Sequence, residues 1–169
     1  DIRVAPDGQS LALTGVEMIV SPYDEYALEA ALKLREAFAG STVQVLTVGG
    51  DDALKVLQHA FSLGVDGGLH IKAPGADPAA AAKAAAAALK AAAPDIVLCG
   101  RQAIDDDQLQ FPGALAEWLD MPHVTAAASL EMAPDGKSFK SRRRIEGGEA
   151  VVEAFLPAVV SCDKGLNEP

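Results

Sequence analysis

The sequence has 169 residues, half of them hydrophobic, which predicts one globular domain with a core of its own. Its formal net charge of −10 excludes a typical nucleic-acid binder, because such proteins present a basic face to phosphates. Cys99 and Cys162 lie far apart in apolar runs, so we expect reduced thiols, no structural zinc and an intracellular compartment. The alanine-rich segment at 79–93 contains Lys83 and Lys90, so no membrane span is predicted.

The first part of the chain alternates between strand-like and helix-like hydrophobic periods, which is typical of α/β proteins. A small hairpin is predicted at 3–15, with its turn at Pro6-Asp7-Gly8. The predicted elements then follow in this order: a helix from Pro22 to about Phe38 with Ser21 as N-cap, a strand at 42–50, a helix at 51–64 capped by Asp51, a strand at 67–73, a helix at 78–93 with Asp77 as N-cap, and a strand at 95–100. This order predicts parallel strands joined by right-handed crossovers.

The pattern changes after Gly113. A short helix is predicted at 114–120, followed by two alternating strands about a turn at 134–136. A third strand and an apolar fourth strand follow within 146–162. We therefore predict a Rossmann-like, doubly wound, mainly parallel α/β sheet with antiparallel strands added near the C-terminus.

A ligand site is predicted where the parallel strands end, because open α/β sheets bind ligands beyond the carboxyl ends of their strands. Three such places are Gly49-Gly50, Gly100, and Ser21-Pro22 before the first helix. The loop from Gly100 to Gly113 is too long for a tight turn, so we expect it to wrap a ligand.

Three consecutive aspartates, Asp105, Asp106 and Asp107, stand in this loop. Like charges cannot simply hold a phosphate, so we expect at least one of them to accept hydrogen bonds from ribose hydroxyls or backbone N–H groups. Arg101 is the predicted countercharge. The alternative is that the aspartates only cap and solubilise a loop.

Other side chains carry simpler predictions. We expect Trp118 and Phe61 on apolar core faces, and we assign no role to His59, His70 or His123, the last of which follows Pro122 at a predicted turn. Lys140, Arg142 and Arg144 alternate onto one face of a strand, which is either solvated or meets a partner subunit.

Four quoted segments resemble one known family. "GRQAIDDD" (100–107), "IEGG" (145–148), "LPAVVSCDKGLNEP" (156–169) and "SPYDEYALEAALKLRE" (21–36) are similar, in order and spacing, to the beta subunit of electron transfer flavoprotein. The resemblance covers essentially the whole chain and implies a fold like that of the adenine nucleotide alpha hydrolases. Family members begin with a further strand and continue into a basic arm, so we expect 1–169 to be a single nucleotide-binding domain that lacks both.

The resemblance also implies a function. The family's beta subunit pairs with an alpha subunit that holds most of a FAD, and the heterodimer carries electrons from acyl-CoA and related dehydrogenases to a membrane quinone oxidoreductase. Beta itself buries a structural AMP and is not an enzyme. Such a protein is cytoplasmic in a bacterium and lies in the mitochondrial matrix of a eukaryote.

Carried over to matching positions, the family's nucleotide site would comprise Ser21, Pro22, Tyr23, Asp24, Gly50, Gly100, Arg101, Gln102, Ala103, Ile104, Asp105, Asp106, Asp107 and Gln110. Tyr23 would also approach the flavin. The sequence departs from the family at Leu109 and Phe111, on either side of the shared Gln110. No metal site is expected.

Two alternatives stay open from the sequence. The first is an electron-bifurcating beta subunit, in which a second FAD takes the place of AMP. The second is an enzyme or ligand sensor of a related adenine-nucleotide-binding fold, although the sequence contains no GxGxxG, Walker, HExxH or GxSxG motif.

Overall fold

The computed structural model describes residues 3–9, 11–12 and 14–169. In chain order the elements are α1 (Pro22–Ala37), β1 (Gln44–Gly49), a 3-10 turn (Asp51–Ala53), α2 (Leu54–Ser62), β2 (Gly67–Lys72), α3 (Pro78–Ala92), β3 (Ile96–Gly100), α4 (Gln110–Leu119), β4 (His123–Ala127), β5 (Glu131–Met132), β6 (Ser138–Ile145), β7 (Gly148–Phe155) and β8 (Ala158–Cys162). The predicted α/β class is confirmed. Within the described residues, no helix is long and apolar enough to cross a membrane.

In the part of the chain that the structure describes, the strands form two sheets, whereas the sequence predicts one. β1 and β2 are a parallel pair, and the second sheet has the order β3-β8-β4-β6-β5, with β7 paired to β6. The predicted addition of antiparallel strands near the C-terminus is confirmed for β6 and β7 and is wrong for β8, which is parallel to both β3 and β4. All five residues of β8 are buried, which suits a strand covered on both faces in a parallel sheet.

Small side chains let the helices of the second sheet approach each other. Ala82, Ala85 and Ala86 of α3 are almost fully buried against Leu115 and Ala116 of α4 in one core cluster. Leu46 and Val48 of β1 pack against the same cluster, so the two sheets share this core. A second cluster fills the space between β4, β6 and β8, and a third joins α1 to β1 and α2.

The helix boundaries confirm most of the predicted caps. Pro22 begins α1 directly after Ser21, although the Ser21 hydroxyl makes no capping bond. The Asp77 carboxylate accepts a hydrogen bond of 2.7 Å from the Ala80 N–H, as predicted. The prediction that Asp51 caps α2 is wrong, because Asp51 lies inside the 3-10 turn and its carboxylate binds Lys72 Nζ.

The predicted N-terminal hairpin is present in the part of that segment that is described. Val4 and Leu11 form an antiparallel bridge, and the Gly8 N–H donates to the Ala5 carbonyl at the turn. Ser10 and Leu13, which belong to the same prediction, lie outside the described residues.

Two aromatic predictions are wrong because the side chains stay near the surface. Trp118 is 45% exposed, and Lys83 Nζ lies 5.0 Å above its ring. Phe61 is 48% exposed and covers Gly68, at which an added Cβ would lie 3.1 Å from the Phe61 ring.

The predicted strand before the turn at 134–136 is divided. Its first part is β4, which pairs with β8, and its last two residues form β5, which pairs with β6. A register shift between Val124 and Ala127, with Ala126 at a positive φ of 51°, separates the two parts. His123 begins β4 and is not in a turn.

Candidate functional site

The N-terminus of α1 packs directly on the carboxyl end of β3. The Gly100 N–H donates a hydrogen bond of 2.5 Å to Asp24 Oδ1. A Cβ atom at position 100 would lie 2.8 Å from both the Asp24 nitrogen and the Tyr23 Cβ, which is closer than such atoms approach in proteins. The sequence predicts that Gly100 makes room for a ligand. In the structure it makes room for α1.

Asp24 is a solvent-exposed residue, although protein atoms crowd one side of its carboxyl group. Removal of water on that side raises the pKa of the carboxyl group, and the hydrogen bond from Gly100 lowers the pKa by less. Burial and the nearby Asp24 charge also raise the pKa of the Cys162 thiol to about 12 and that of Cys99 well above its ordinary value. Both thiols are therefore protonated at neutral pH and poor nucleophiles.

The Arg101 side chain ties this helix end to the segment after β8. Its Nη1 lies 2.8 Å from Asp163 Oδ2, and its Nη2 donates to Gln102 Oε1. The guanidinium carbon lies 5.6 Å from the centre of the Tyr23 ring, in cation–π range. The prediction that Arg101 neutralises the aspartate triplet is wrong. Its partner is Asp163, whose side chain is only 6% exposed.

The aspartate triplet holds its own loop in shape. Asp105 Oδ1 accepts from the Asp106 N–H and Asp106 Oδ1 accepts from the Gln108 N–H. Gln102 Nε2 donates to the Asp107 carboxylate at 3.0 Å, across the base of the loop. Asp107 has a φ of 57°, which aspartate tolerates better than most residues. Each carboxylate keeps one oxygen for solvent or a ligand.

Neighbouring residues of four strands form a row beside this loop: Gly100, Cys162, Ala127 and Arg143, in that order. The segment after β8 runs along the row. The Asp163 N–H donates to the Ala127 carbonyl over 3.0 Å, and Asn167 Nδ2 donates to the Tyr26 carbonyl of α1 over 2.8 Å. The end of the chain is therefore fastened to both the sheet and α1.

Comparison with known proteins decides the family. A model described as the electron transfer flavoprotein domain matches residues 10–169. The chain belongs to the electron transfer flavoprotein family.

Similar relatives bear the name electron transfer flavoprotein subunit beta. The protein of Bradyrhizobium diazoefficiens is 36% identical over 99% of this chain and 67% of its own length. That of Syntrophomonas wolfei is 37% identical over 96% of this chain and 64% of its own length. The Sus scrofa protein is 34% identical over 99% of this chain and 67% of its own length. The resemblance to the beta subunit is confirmed, and the chain spans about two thirds of the length of these relatives.

Most of the unpartnered polar atoms of this electron transfer flavoprotein chain belong to the segments that meet at this edge. Within the described residues, five buried side-chain atoms have no hydrogen-bond partner, namely Ser21 Oγ, Arg101 Nε, Thr125 Oγ1, Arg143 Nε and Asn167 Oδ1. Ser21 directly precedes α1, Arg101 directly follows β3, and Asn167 follows β8. Arg143 of β6 is the neighbour of Ala127 at the end of β4, whereas Thr125 lies in the middle of β4. Buried polar atoms without partners are costly, so their concentration here marks a place for water or a ligand.

The predicted site residues are only partly brought together. Direct contacts join Tyr23, Asp24, Gly100, Arg101 and Gln102, and the loop from Ala103 to Asp107 follows them. Pro22, Ile104, the three aspartates and Gln110 are solvent-exposed around this group. Gly50 lies after β1 in the other sheet, where an added Cβ would meet Asp52 and Pro74, and no recorded hydrogen bond or ion pair links it to the described residues of the loop.

Sequence reasoning missed Asp163 and Asn167. Both follow β8, and the signal was the buried apolar run 158–162, which is typical of a parallel strand inside a sheet. Placing that run beside β3 would have put Asp163 next to Arg101.

His123 contacts Ser161 of the neighbouring strand β8, and its contacts do not suggest that it binds a ligand. Its Nε2 lies 3.3 Å from Ser161 Oγ, and the Ala126 N–H donates a hydrogen bond to the same oxygen. Burial and, to a lesser degree, Arg143 lower the His123 pKa, so the imidazole is neutral at pH 7. Among the residues that the structure describes, no three His, Cys, Asp or Glu side chains are grouped to hold a metal ion.

Proposed function

We propose that this chain is the nucleotide-burying beta subunit of a heterodimeric electron carrier. In this proposal AMP lies at the loop after β3, and an alpha subunit holds most of a FAD. The observation that carries the proposal is the meeting of α1, β3 and the segment after β8 around Arg101, with unpartnered polar atoms at the same edge.

The residues present fit an adenine nucleotide. The N–H groups of Gln102, Ile104 and Asp105 make no hydrogen bond to any residue that the structure describes, so they are available to phosphate oxygens. The free carboxylate oxygens of the aspartate triplet are suited to ribose hydroxyls. Ser21 Oγ and Arg101 Nε offer further polar groups. AMP has no redox chemistry, so these residues would bind and orient only.

The FAD supplies the electron-carrying chemistry when it is bound. Tyr23 is the residue of this chain that we place toward the flavin, and its stacking with Arg101 would hold the ring in one orientation. We further propose that acyl-CoA and related dehydrogenases donate the electrons and that a membrane quinone oxidoreductase accepts them. Residues 1–169 would act as one Rossmann-like nucleotide-binding domain, in the cytoplasm of a bacterium or the mitochondrial matrix of a eukaryote.

The test is to denature the protein purified with its alpha subunit and to identify every released nucleotide by chromatography and mass spectrometry. We expect one AMP and one FAD per heterodimer. Gln102→Leu removes the hydrogen bond from Gln102 Nε2 to the Asp107 carboxylate. We expect this variant to retain AMP about tenfold more weakly, because a charge-assisted hydrogen bond that shapes the loop is lost. Gln58→Leu on exposed α2 is the matched control.

Other results would contradict parts of the proposal. Release of two FAD and no AMP per heterodimer would show a bifurcating beta subunit. Release of one FAD and no other nucleotide would exclude an AMP site at the loop after β3. ATP hydrolysis that Asp105→Asn abolishes would identify an enzyme in place of a carrier.

A further inference from the structure

The bulge at Ala126 is held in place from the neighbouring strand. Ala126 has a positive φ of 51°, which is costly for a residue other than glycine, and its N–H donates a hydrogen bond of 3.1 Å to Ser161 Oγ of β8. Ser161 is only 3% exposed, so its hydroxyl is shielded from bulk solvent. One buried side chain therefore supports the strained residue of β4.

His123 completes a chain of hydrogen bonds that begins at the bulge. Its Nε2 lies 3.3 Å from the same Ser161 oxygen. Because that oxygen accepts the Ala126 N–H, the hydroxyl hydrogen is left to point toward Nε2. A ring nitrogen accepts this hydrogen only when it carries no proton of its own. Neutral His123 therefore fixes the direction of the Ser161 hydroxyl.

No carboxylate compensates a positive charge on His123. Within the described residues no ion pair includes this side chain, and Arg143 of β6 is the charged group that affects its pKa. On α4, which packs against β4, Gly113 lies beside the ring, whereas Glu117 and Asp120 are exposed. Partial burial and, to a lesser degree, the Arg143 charge lower the His123 pKa from its ordinary 6.5. Protonation would add a second positive charge near Arg143.

The bulge leads from His123 toward the candidate nucleotide loop. The carbonyl of Ala127, directly after the bulge, accepts a hydrogen bond of 3.0 Å from the Asp163 N–H. The Asp163 carboxylate in turn lies 2.8 Å from Nη1 of Arg101, which begins the loop after β3. A continuous series of short contacts therefore joins the histidine at the start of β4 to the cation of the candidate site.

We propose that neutral His123 is a positioning residue, which holds the nucleotide loop in shape through Ser161, the bulge and Asp163. The inference rests on the proposed function, because AMP enters there as the ligand of the loop. Protonation of His123 removes the acceptor of the Ser161 hydroxyl hydrogen, so the bulge is held less firmly. AMP retention should be full above the ordinary histidine pKa of 6.5 and decrease as the pH falls through the lower pKa of the folded protein.

The test measures AMP retention by the complex with the alpha subunit at about pH 8 and about pH 5, in the unchanged protein and in His123→Gln. Glutamine offers an uncharged acceptor near the position of Nε2, so this variant shares every pH effect except that of the histidine. We expect the two proteins to retain AMP equally at the higher pH. At the lower pH the unchanged protein should lose severalfold more AMP than His123→Gln. His59→Gln, on the exposed side of α2, is the matched control and should behave like the unchanged protein.

A second variant tests the middle of the series. Ser161→Ala removes the hydroxyl that joins His123 to the bulge. It should retain AMP severalfold more weakly than the unchanged protein at the higher pH, and its remaining pH dependence should equal that of His123→Gln. A Ser161→Ala variant that keeps the full pH dependence of the unchanged protein would overturn the inference.

A second measurement separates this inference from the proposed function. Amide hydrogen exchange in the loop at 101–109 and at the bulge, compared between the unchanged protein and His123→Gln at each pH, needs no bound nucleotide. Faster exchange in the unchanged protein at the lower pH would support the positioning role even if no AMP is found, a result that would overturn only the proposed function. Parallel loss of AMP in the two proteins would overturn the inference and leave the proposed function intact. Equal exchange of the two proteins at the lower pH would overturn the inference whether or not AMP is present.

Discussion

Gly100 contributes to the candidate site by allowing the N-terminus of α1 to pack closely against the end of β3. Its N–H is bound by Asp24, and its Cα faces the first turn of α1 with no space for a side chain. A glycine at the end of a strand is therefore compatible with two explanations, close approach of a ligand or close approach of a helix. The atoms that a Cβ would meet distinguish them.

Gly100→Ala should destabilise the protein by about 1–3 kcal/mol, because α1 must move away from β3 to accept the new methyl group. Urea denaturation followed by circular dichroism measures this free energy of unfolding. Gly148→Ala is the control, since nothing lies within 4 Å of a Cβ there. Equal stability of the two variants would show that α1 is not fixed at Gly100.

Arg101 and the aspartate triplet show the limit of reading charges along a sequence. Proximity in the chain favours Arg101 as the partner of Asp105, but the side chain pairs with Asp163, 62 positions away. The triplet instead satisfies N–H groups of its own loop, which was one of the two roles that the sequence left open. Which carboxylate a cation meets depends on strand order, and strand order is a property of the whole sheet.

Helix α3 illustrates how a low-complexity element can have strict requirements. Alanine gives it high helix propensity and no bulk, so α4 approaches the face that carries Ala82, Ala85 and Ala86. The other side of the helix, which includes Ala87, is exposed. Alanine therefore allows close helix packing on the buried face of α3 and contributes only helix propensity on the exposed face.

Ala85→Leu should destabilise the protein by about 1–3 kcal/mol, because the extra methylenes must enter a filled space between α3 and α4. Ala87→Leu on the exposed face should change the free energy of unfolding by less than about 0.5 kcal/mol. Thermal and urea denaturation of both variants measure the difference. A similar loss in both would indicate that helix propensity, and not packing, explains the effect.

The sequence predicts most of the helices and strands, and the elements that it predicts wrongly can be identified. The boundaries of α1, β2 and α3 follow from proline, glycine and the hydrophobic period. The division of one predicted strand into β4 and β5 was invisible, because the bulge at Ala126 has no glycine or proline to mark it.

Across the whole molecule, the candidate site links parts of the chain that are far apart in sequence. Arg101 joins the loop after β3 to Asp163, and Asn167 joins the segment after β8 to α1. A ligand that orders the loop at 101–109 would therefore also restrain the segment at 163–169. Two binding events at these places would be coupled through shared contacts.

AMP binding should slow amide hydrogen exchange at 163–169 as well as in the loop, by severalfold. Hydrogen–deuterium exchange with mass spectrometry on the complex with and without AMP measures this. In Asp163→Asn the loop should still be protected, while the protection of 163–169 decreases, because the ion pair that transmits it is lost. Protection confined to the loop in the unchanged protein would contradict the coupling.

The sequence predicts only part of how the whole molecule is assembled around the candidate site. The family and the neighbourhood of the site follow from short segments such as 100–107 and 156–169. The assignment of Asp163 and Asn167 to that site does not, because it needs β8 to lie between β3 and β4.

The position of β8 has a consequence for biosynthesis. Among the elements that the structure describes, β8 follows β1 to β7, yet it is the strand that pairs with both β3 and β4. During translation, the ribosome releases β3 and β4 before the strand that pairs with both of them exists. Their inner edges cannot pair with β8 until residues 158–162 leave the exit tunnel, so nascent chains arrested before this point are the forms that chaperones would have to protect.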